Sequence, residues 1–222
     1  MHRARQHAEN RTRERRLRLA HEAARLMAEG GISDFRQAKL KAAHRLGIRD
    51  DAALPRNLEI EEALREYQRL FLGEEQDDAL RVRREAALHA LEFFAPFDPR
   101  LAGPVLEGTA DANSPVALQL HAEEPDAGPR FLEEHAIPAT SRSRRVRLDR
   151  TRSGDFPVWI FSAEDLTIDL TVLPRLALRQ APLSAIDEKP MRRASAAQLR
   201  QLLANEGTDG DEANRPRMGP SA

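Results

Sequence analysis

The hydrophobic periodicity changes once along this chain, at Pro96 and Pro99, and that change fixes what each side can become. Before the prolines, apolar side chains recur at the three- and four-residue spacing of a helix face; after them they fall in short runs with a period nearer two, separated by Gly, Pro, Asn and Asp. A helical region followed by a small mixed sheet makes the fold class α+β, with the helices packed on the sheet.

Four helices are expected in the front half. Leu17, Ala20, Ala24 and Met27 form a stripe that ends at Gly30-Gly31, and Ser33 then caps a second helix bearing Phe35, Ala38, Ala42 and Leu46 before Gly47. Pro55 and Asn57 open a third, with Ile60, Leu64, Tyr67 and Phe71 on one face and Glu59, Glu61 and Glu62 near the positive end of its dipole. A fourth, from about Asp77 to Ala95, carries Leu80, Ala87, Leu91 and Phe94 toward the sheet, and the two prolines stop it.

In the back half, Ala102 to Leu106, Val116 to His121, Val146 to Leu148, Pro157 to Phe161 and Leu166 to Leu173 read as strands. Helices are expected at Arg130 to His135 and Ala194 to Ala204. The domains are therefore a helical region over 1–98, an α/β unit over 99–204 and a polar, disordered tail over 205–222.

Composition excludes several chemistries. The chain has no cysteine, hence no disulfide, thiolate zinc site or cysteine nucleophile, which fits a reducing, cytoplasmic setting. No apolar run approaches the length of a membrane span, and the opening MHRARQHAENRTRERR lacks the apolar stretch of a secretory signal, so no membrane partner is expected. The histidines show no zinc spacing, and neither a phosphate-binding Gly-x-x-x-x-Gly-Lys loop nor a Gly-x-Ser-x-Gly elbow occurs. The net charge of -1 hides basic clusters at Arg3 to Arg18 and Arg142 to Arg152 and an acidic patch at Glu206 to Glu212.

The segment Gly103-Pro-Val-Leu-Glu-Gly-Thr-Ala-Asp-Ala-Asn-Ser-Pro-Val-Ala-Leu-Gln-Leu resembles the signature of the nucleotidyltransferase superfamily: a glycine turn after one strand, then a second strand with alternating acids. Residues 20 to 203, including Glu66-Tyr-Gln-Arg-Leu-Phe and Gly103-Pro-Val-Leu, also resemble a family of bacterial nucleotidyltransferase-like proteins. The resemblance implies that Gly108 and Thr109 cradle the phosphates of a nucleoside triphosphate and that Asp169, in Leu-Thr-Ile-Asp-Leu-Thr-Val, is a catalytic carboxylate holding magnesium.

The two other acids of the signature are replaced by Pro115 and Ala117, neither of which ligates a metal. The degenerate motif implies a protein with impaired catalysis that retains nucleotide or protein-partner binding. An alternative is an active magnesium enzyme with rearranged acids, drawn from Glu107, Asp111, Glu123 and Glu124.

Arginines supply two more candidates. Alternation puts Arg145 and Arg147 on one face of a strand, able to neutralise a polyphosphate, with Val146 and Leu148 on the other. Lys41-Ala-Ala-His-Arg-Leu-Gly-Ile resembles the first helix and turn of a helix-turn-helix, which would bind DNA with help from Arg15, Arg16 and Lys41. Glu59, Glu61 and Glu62 sit where its recognition helix would meet phosphates, after a long loop containing Asp50 and Asp51, so nucleic acid is the less favoured partner.

Overall fold

The computed structural model describes residues 2–32, 34–48 and 54–213, with backbone alone for 2–5, 8, 9, 74 and 207–213. Helices α1 (His2–Gly30), α2 (Phe35–Arg45) and α3 (Asn57–Phe71) pack into a cluster built largely on small side chains. Ala20, Ala23 and Ala24 of α1 meet Ala38 and Ala42 of α2 and Ile60, Ala63 and Leu64 of α3, all buried; the alanines let the helix backbones approach closely. Leu17 is in phase with this stripe yet 48% exposed, because α1 has by then run past the helices it packs on. Leu19 takes its place in the core.

Asp34 caps α2 by accepting a 2.7 Å hydrogen bond from the Gln37 backbone N–H. Ser33, the residue expected there, lies outside the described residues, as do Asp50 and Asp51. On α3 the apolar face ends one turn early: Tyr67 turns its hydroxyl to Glu29 Oε1 at 2.5 Å, and Phe71 stacks on the Tyr67 ring but is 68% exposed.

Helix α4 (Gly73–Phe93) follows after Leu72 alone, starting four residues before the expected Asp77. Its Ala87 and Leu91, with Phe94 after its end, belong to the core of the sheet rather than to the three-helix cluster, as its pattern of apolar residues indicates. A 3-10 turn, Ala95–Phe97, and a left-handed Asp98 then redirect the chain into the first strand.

The sheet comprises β1 (Arg100–Ala102), β2 (Val116–Ala122), β3 (Thr140–Arg147), β4 (Ser153–Ala163) and β5 (Leu166–Pro174), in the spatial order β1-β2-β5-β4-β3. Only β2 and β5 are parallel; the other pairs are antiparallel, so the sheet is mixed as expected. The expected strand Ala102 to Leu106 is mostly not strand. Gly103 turns the chain with φ 75°, and Pro104, whose ring suits the first position of a helix, starts the short α5 (Pro104–Glu107).

Along each strand side chains alternate between two faces. One face is apolar: Leu101, Val116, Leu118, Leu120, Phe161, Ile168 and Leu170 pack under α4, under Leu132 of α6 (Ala127–Glu134) and under Leu199 of α8 (Ala196–Ala213). The other carries Ala117, Gln119 and His121 of β2 beside Asp169 and Thr171 of β5. The short α7 (Leu176–Arg179) packs against these two strands. Helix α8 continues to Ala213, past Asn205, where the sequence suggested that order ends; residues 214–222 lie outside the described residues. Among the described residues no helix is long and apolar enough to cross a membrane.

Candidate functional site

Asp169 sits mid-strand on β5, where the parallel register sets it beside Ala117 of β2 and the antiparallel register beside Ile160 of β4. It is 6% exposed, and its carboxylate needs a compensating charge. Arg144 supplies one by reaching from β3 over β4: its Nη1 donates to Asp169 Oδ1 at 3.0 Å and its Nη2 to Oδ2 at 2.6 Å. The same Nη1 donates to Thr171 Oγ1 at 3.0 Å, so the guanidinium holds two successive residues on this face of β5.

That arrangement does not suit a divalent cation. Both Asp169 oxygens accept from the guanidinium, the strand neighbours Ala117 and Ile160 have no donor atom, and among the described residues no group of three His, Cys, Asp or Glu is placed to hold a metal. The other acids named from sequence have separate roles. Glu107 pairs with Arg192 at 3.0 Å and lies 3.6 Å from Arg65, and Glu124 pairs with Arg130 at 2.6 Å. Asp111 Oδ1 accepts from the Asn113 backbone N–H and the Ser114 hydroxyl, closing an Asx turn. Glu123 is exposed just beyond β2.

Of the two glycines in the motif, Gly103 is the one beside Ala117: a Cβ built on it would lie 3.7 Å from the Ala117 Cβ. Gly108 ends α5 in the left-handed conformation at φ 82°. Its N–H and that of Thr109 both donate to the Pro104 carbonyl, at 2.9 and 3.0 Å, so these amides are engaged within the chain. Their carbonyls are engaged as well, by Gln76 Nε2 for Gly108 at 3.1 Å and by Gln68 Nε2 for Thr109 at 2.9 Å.

The rest of the loop is held in the same manner. Arg83, 6% exposed on α4, donates through Nε to Ser114 O at 2.9 Å and through Nη2 to Ala112 O, while Arg84, 5% exposed, donates to Val105 O at 3.1 Å and pairs with Glu206. Below them Glu61 is buried beside the Thr109 side chain; burial pushes its carboxyl pKa up, opposed by Arg65 and the Thr109 hydrogen bond. Apart from Glu61, these side chains of α3 and α4 are not among the residues that the sequence singles out. The available signal was the adjacent pair Arg83-Arg84 in mid-helix on either side of an apolar stripe.

Arg145 and Arg147 point away from Asp169, as alternation along β3 requires once Arg144 faces it. Arg145 binds Asp155 and Ser153, each at 3.0 Å, and Arg147 binds Glu188 at 2.8 Å. The structure thus brings together Asp169, Thr171 and Arg144, and places Gly108 and Thr109 in a separate, helix-bound loop. An open recess of about 280 Å³ adjoins that loop, lined by Gly108 with Arg65, Gln68, Arg69, Gln76 and Asp77.

Further along the Asp169 face, His121 is 1% exposed and held neutral, its pKa lowered to about 4 mainly by burial. Its Nδ1 lies 2.9 Å from the Asp98 carbonyl and so carries the proton, which leaves Nε2 to accept from Arg193 at 3.4 Å. Arg193 also donates to the carbonyls of Ala177 and Leu178, at 2.7 and 3.1 Å. The cluster fastens α7 over β2.

The helix-turn-helix expectation meets a different geometry. Residues 46–56 separate α2 from α3, and both helices pack on α1. Compared with protein-family models, with curated proteins and with solved structures, the chain has no match.

Proposed function

We propose that this chain is a nucleotidyltransferase-like protein that acts by binding and no longer carries out metal-dependent nucleotidyl transfer. One observation carries the reading: Arg144 occupies both oxygens of Asp169 at the position where the resemblance calls for a magnesium ligand, and Ala117 stands beside it in place of an acid. A fixed guanidinium next to the carboxylate supplies the positive charge that a metal would otherwise bring, so the buried acid is stable without an ion. Two-metal transfer needs several negative ligands to hold its ions, and the neighbouring side chains supply none.

Calorimetric titration of ATP, CTP, GTP and UTP with and without magnesium tests this reading. The expected result is no magnesium-dependent binding to the wild-type protein and no change on Asp169→Ala. Magnesium-dependent binding that Asp169→Ala abolishes would restore the active-enzyme alternative. Metal-independent binding that Arg69→Ala weakens would place the ligand in the recess beside Gly108 and fits a binding role.

A further inference from the structure

We propose that the N-terminal turns of α1 form a nucleic-acid-binding rod that grips a phosphodiester backbone through Arg11, Arg13, Arg15 and Arg18. The inference rests on how α1 sits on its neighbours and is independent of the Asp169 site.

Helix α1 has 29 residues, which at about 1.5 Å per residue makes it about 43 Å long. Its buried side chains begin only at Leu19. Gln6, His7 and every residue from Asn10 to Arg15 are exposed, Arg16 is half-buried, and Leu17 and Arg18 are exposed again. A long stretch of α1 therefore stands clear of the cluster that anchors its C-terminal half. Such a helix gains nothing from burial, and an isolated polar helix of this length is marginal in water. A ligand that supplies counter-charge along its length would stabilise it.

The charge on this stretch is one-sided. Residues 2 to 18 hold seven arginines against two glutamates, Glu9 and Glu14. Several arginines elsewhere meet carboxylates: Arg25 and Arg45 share Glu22, Arg144 holds Asp169 and Arg147 holds Glu188. Arg13, Arg15 and Arg18 have no such partner among the described residues, and Arg11 donates only to the His7 carbonyl one turn back. Arg11, Arg15 and Arg18 follow at spacings of four and three, which puts them in one row along the helix. Arg13 widens the positive surface beside them.

The composition of the rod selects the polyanion. Apolar residues among the first 18 are Met1, Ala4, Ala8 and Leu17, too few and too small to form the apolar face with which a helix enters a lipid interface. The same lack of large apolar anchors disfavours a groove on another protein. A row of guanidinium groups matches a row of phosphates, each able to form paired hydrogen bonds with phosphate oxygens. Contacts of this kind position a nucleic acid without reading its sequence.

Fluorescence anisotropy of the full chain with a short labelled DNA duplex, the matching RNA duplex and the corresponding single strand tests the proposal. With four phosphates neutralised, affinity for duplex DNA falls about a hundredfold between about 50 and 200 mM salt. The combined variant R11Q/R13Q/R15Q/R18Q should lose most of that salt dependence while keeping the wild-type unfolding midpoint, since all four side chains are exposed. Preference among the three probes identifies the form of nucleic acid, and binding to any of them on these terms supports the rod. The charge-matched variant R36Q/R142Q/R150Q/R179Q, at exposed arginines elsewhere, should bind as the wild type does. The proposal is overturned by absence of binding to all three probes, by equal loss in the two variants, or by tighter binding to phosphatidylserine vesicles than to any nucleic acid at the same salt.

Discussion

Arg144, on the edge strand β3, and Asp169, on the interior strand β5, are joined across β4 by two hydrogen bonds of 3.0 and 2.6 Å. The acid side chain is 8% exposed and the arginine 46%, so the pair is half open to solvent on the cationic side only. Removing the arginine strands a buried carboxylate. Arg144→Met should lower stability by about 2 kcal/mol, less than for a fully buried pair because water reaches the guanidinium. Asp169→Asn, which leaves unpaired only a guanidinium that water reaches, should cost less, and the double variant should be less destabilised than the sum of the two. Urea unfolding of all four proteins measures the coupling, and strict additivity would refute the pairing.

Arg83 holds the loop after α5 by donating to Ser114 O and Ala112 O while buried on α4. Arg83→Met keeps the apolar stem but orphans those carbonyls, with an expected loss of about 2–3 kcal/mol. Lysine cannot form the fork, so Arg83→Lys should recover little of it. Thermal unfolding of the two variants decides: full recovery by lysine would mean that only the charge mattered.

His121 links stability to pH. Its folded-state pKa of about 4 lies below the unfolded value near 6.5, so the folded protein binds fewer protons there than the unfolded chain. The stabilisation is present above the unfolded pKa, is lost as pH falls through it, and levels off below the folded pKa. Between pH 7 and 5.5 this one group should remove about 1 kcal/mol. Protonation would set a cation against Arg193 and Arg100, both of which already disfavour it. Denaturant titrations at the two pH values should show a smaller decline in His121→Gln than in the wild type; equal declines would assign the dependence to other groups.

Gly103 has φ 75° and ψ -158°, a region open essentially to glycine alone. A Cβ there would meet only ordinary contact with Ala117, at 3.7 Å, so the penalty of Gly103→Ala is in the backbone. A loss of about 1–3 kcal/mol is expected, and Ala117→Gly should not relieve it. Relief would point to a steric clash instead.

The sequence was most informative where periodicity and punctuation agreed. Phe35, Ala38, Ala42 and Leu46 with Gly47 gave α2 nearly to the residue, and the alternation in Leu166 to Leu173 gave β5. It misled where a residue keeps the right phase but lacks a neighbour to pack on, as at Leu17 and Phe71. Ala102 to Leu106 is as apolar as a strand, yet Gly103-Pro104 makes it a turn and helix start, a local signal that overrides its hydrophobicity.

For the site, the position of Asp169 on a strand was legible, but its partner was not. Choosing Arg144 over Arg145 or Arg147 needs the pairing register of β3 with β4 and the order of strands, and a single residue of register exchanges the two faces. The capture of loop carbonyls by Gln68, Gln76, Arg83 and Arg84 depends on contacts about 20 to 40 residues apart along the chain, which no local pattern encodes.

Helix α4 follows α3 after a single residue, yet its Ala87 and Leu91 lie in the interior of the sheet. The most obvious place to cut the polypeptide, at the prolines after Phe94, would therefore remove the lid from one core while leaving a greasy, arginine-studded helix on the other fragment. Each piece would expose apolar surface that the intact chain buries. Mixed in solution, the two should recover native structure only by reassociating, so the change in sequence rhythm marks a change of architecture without marking a seam.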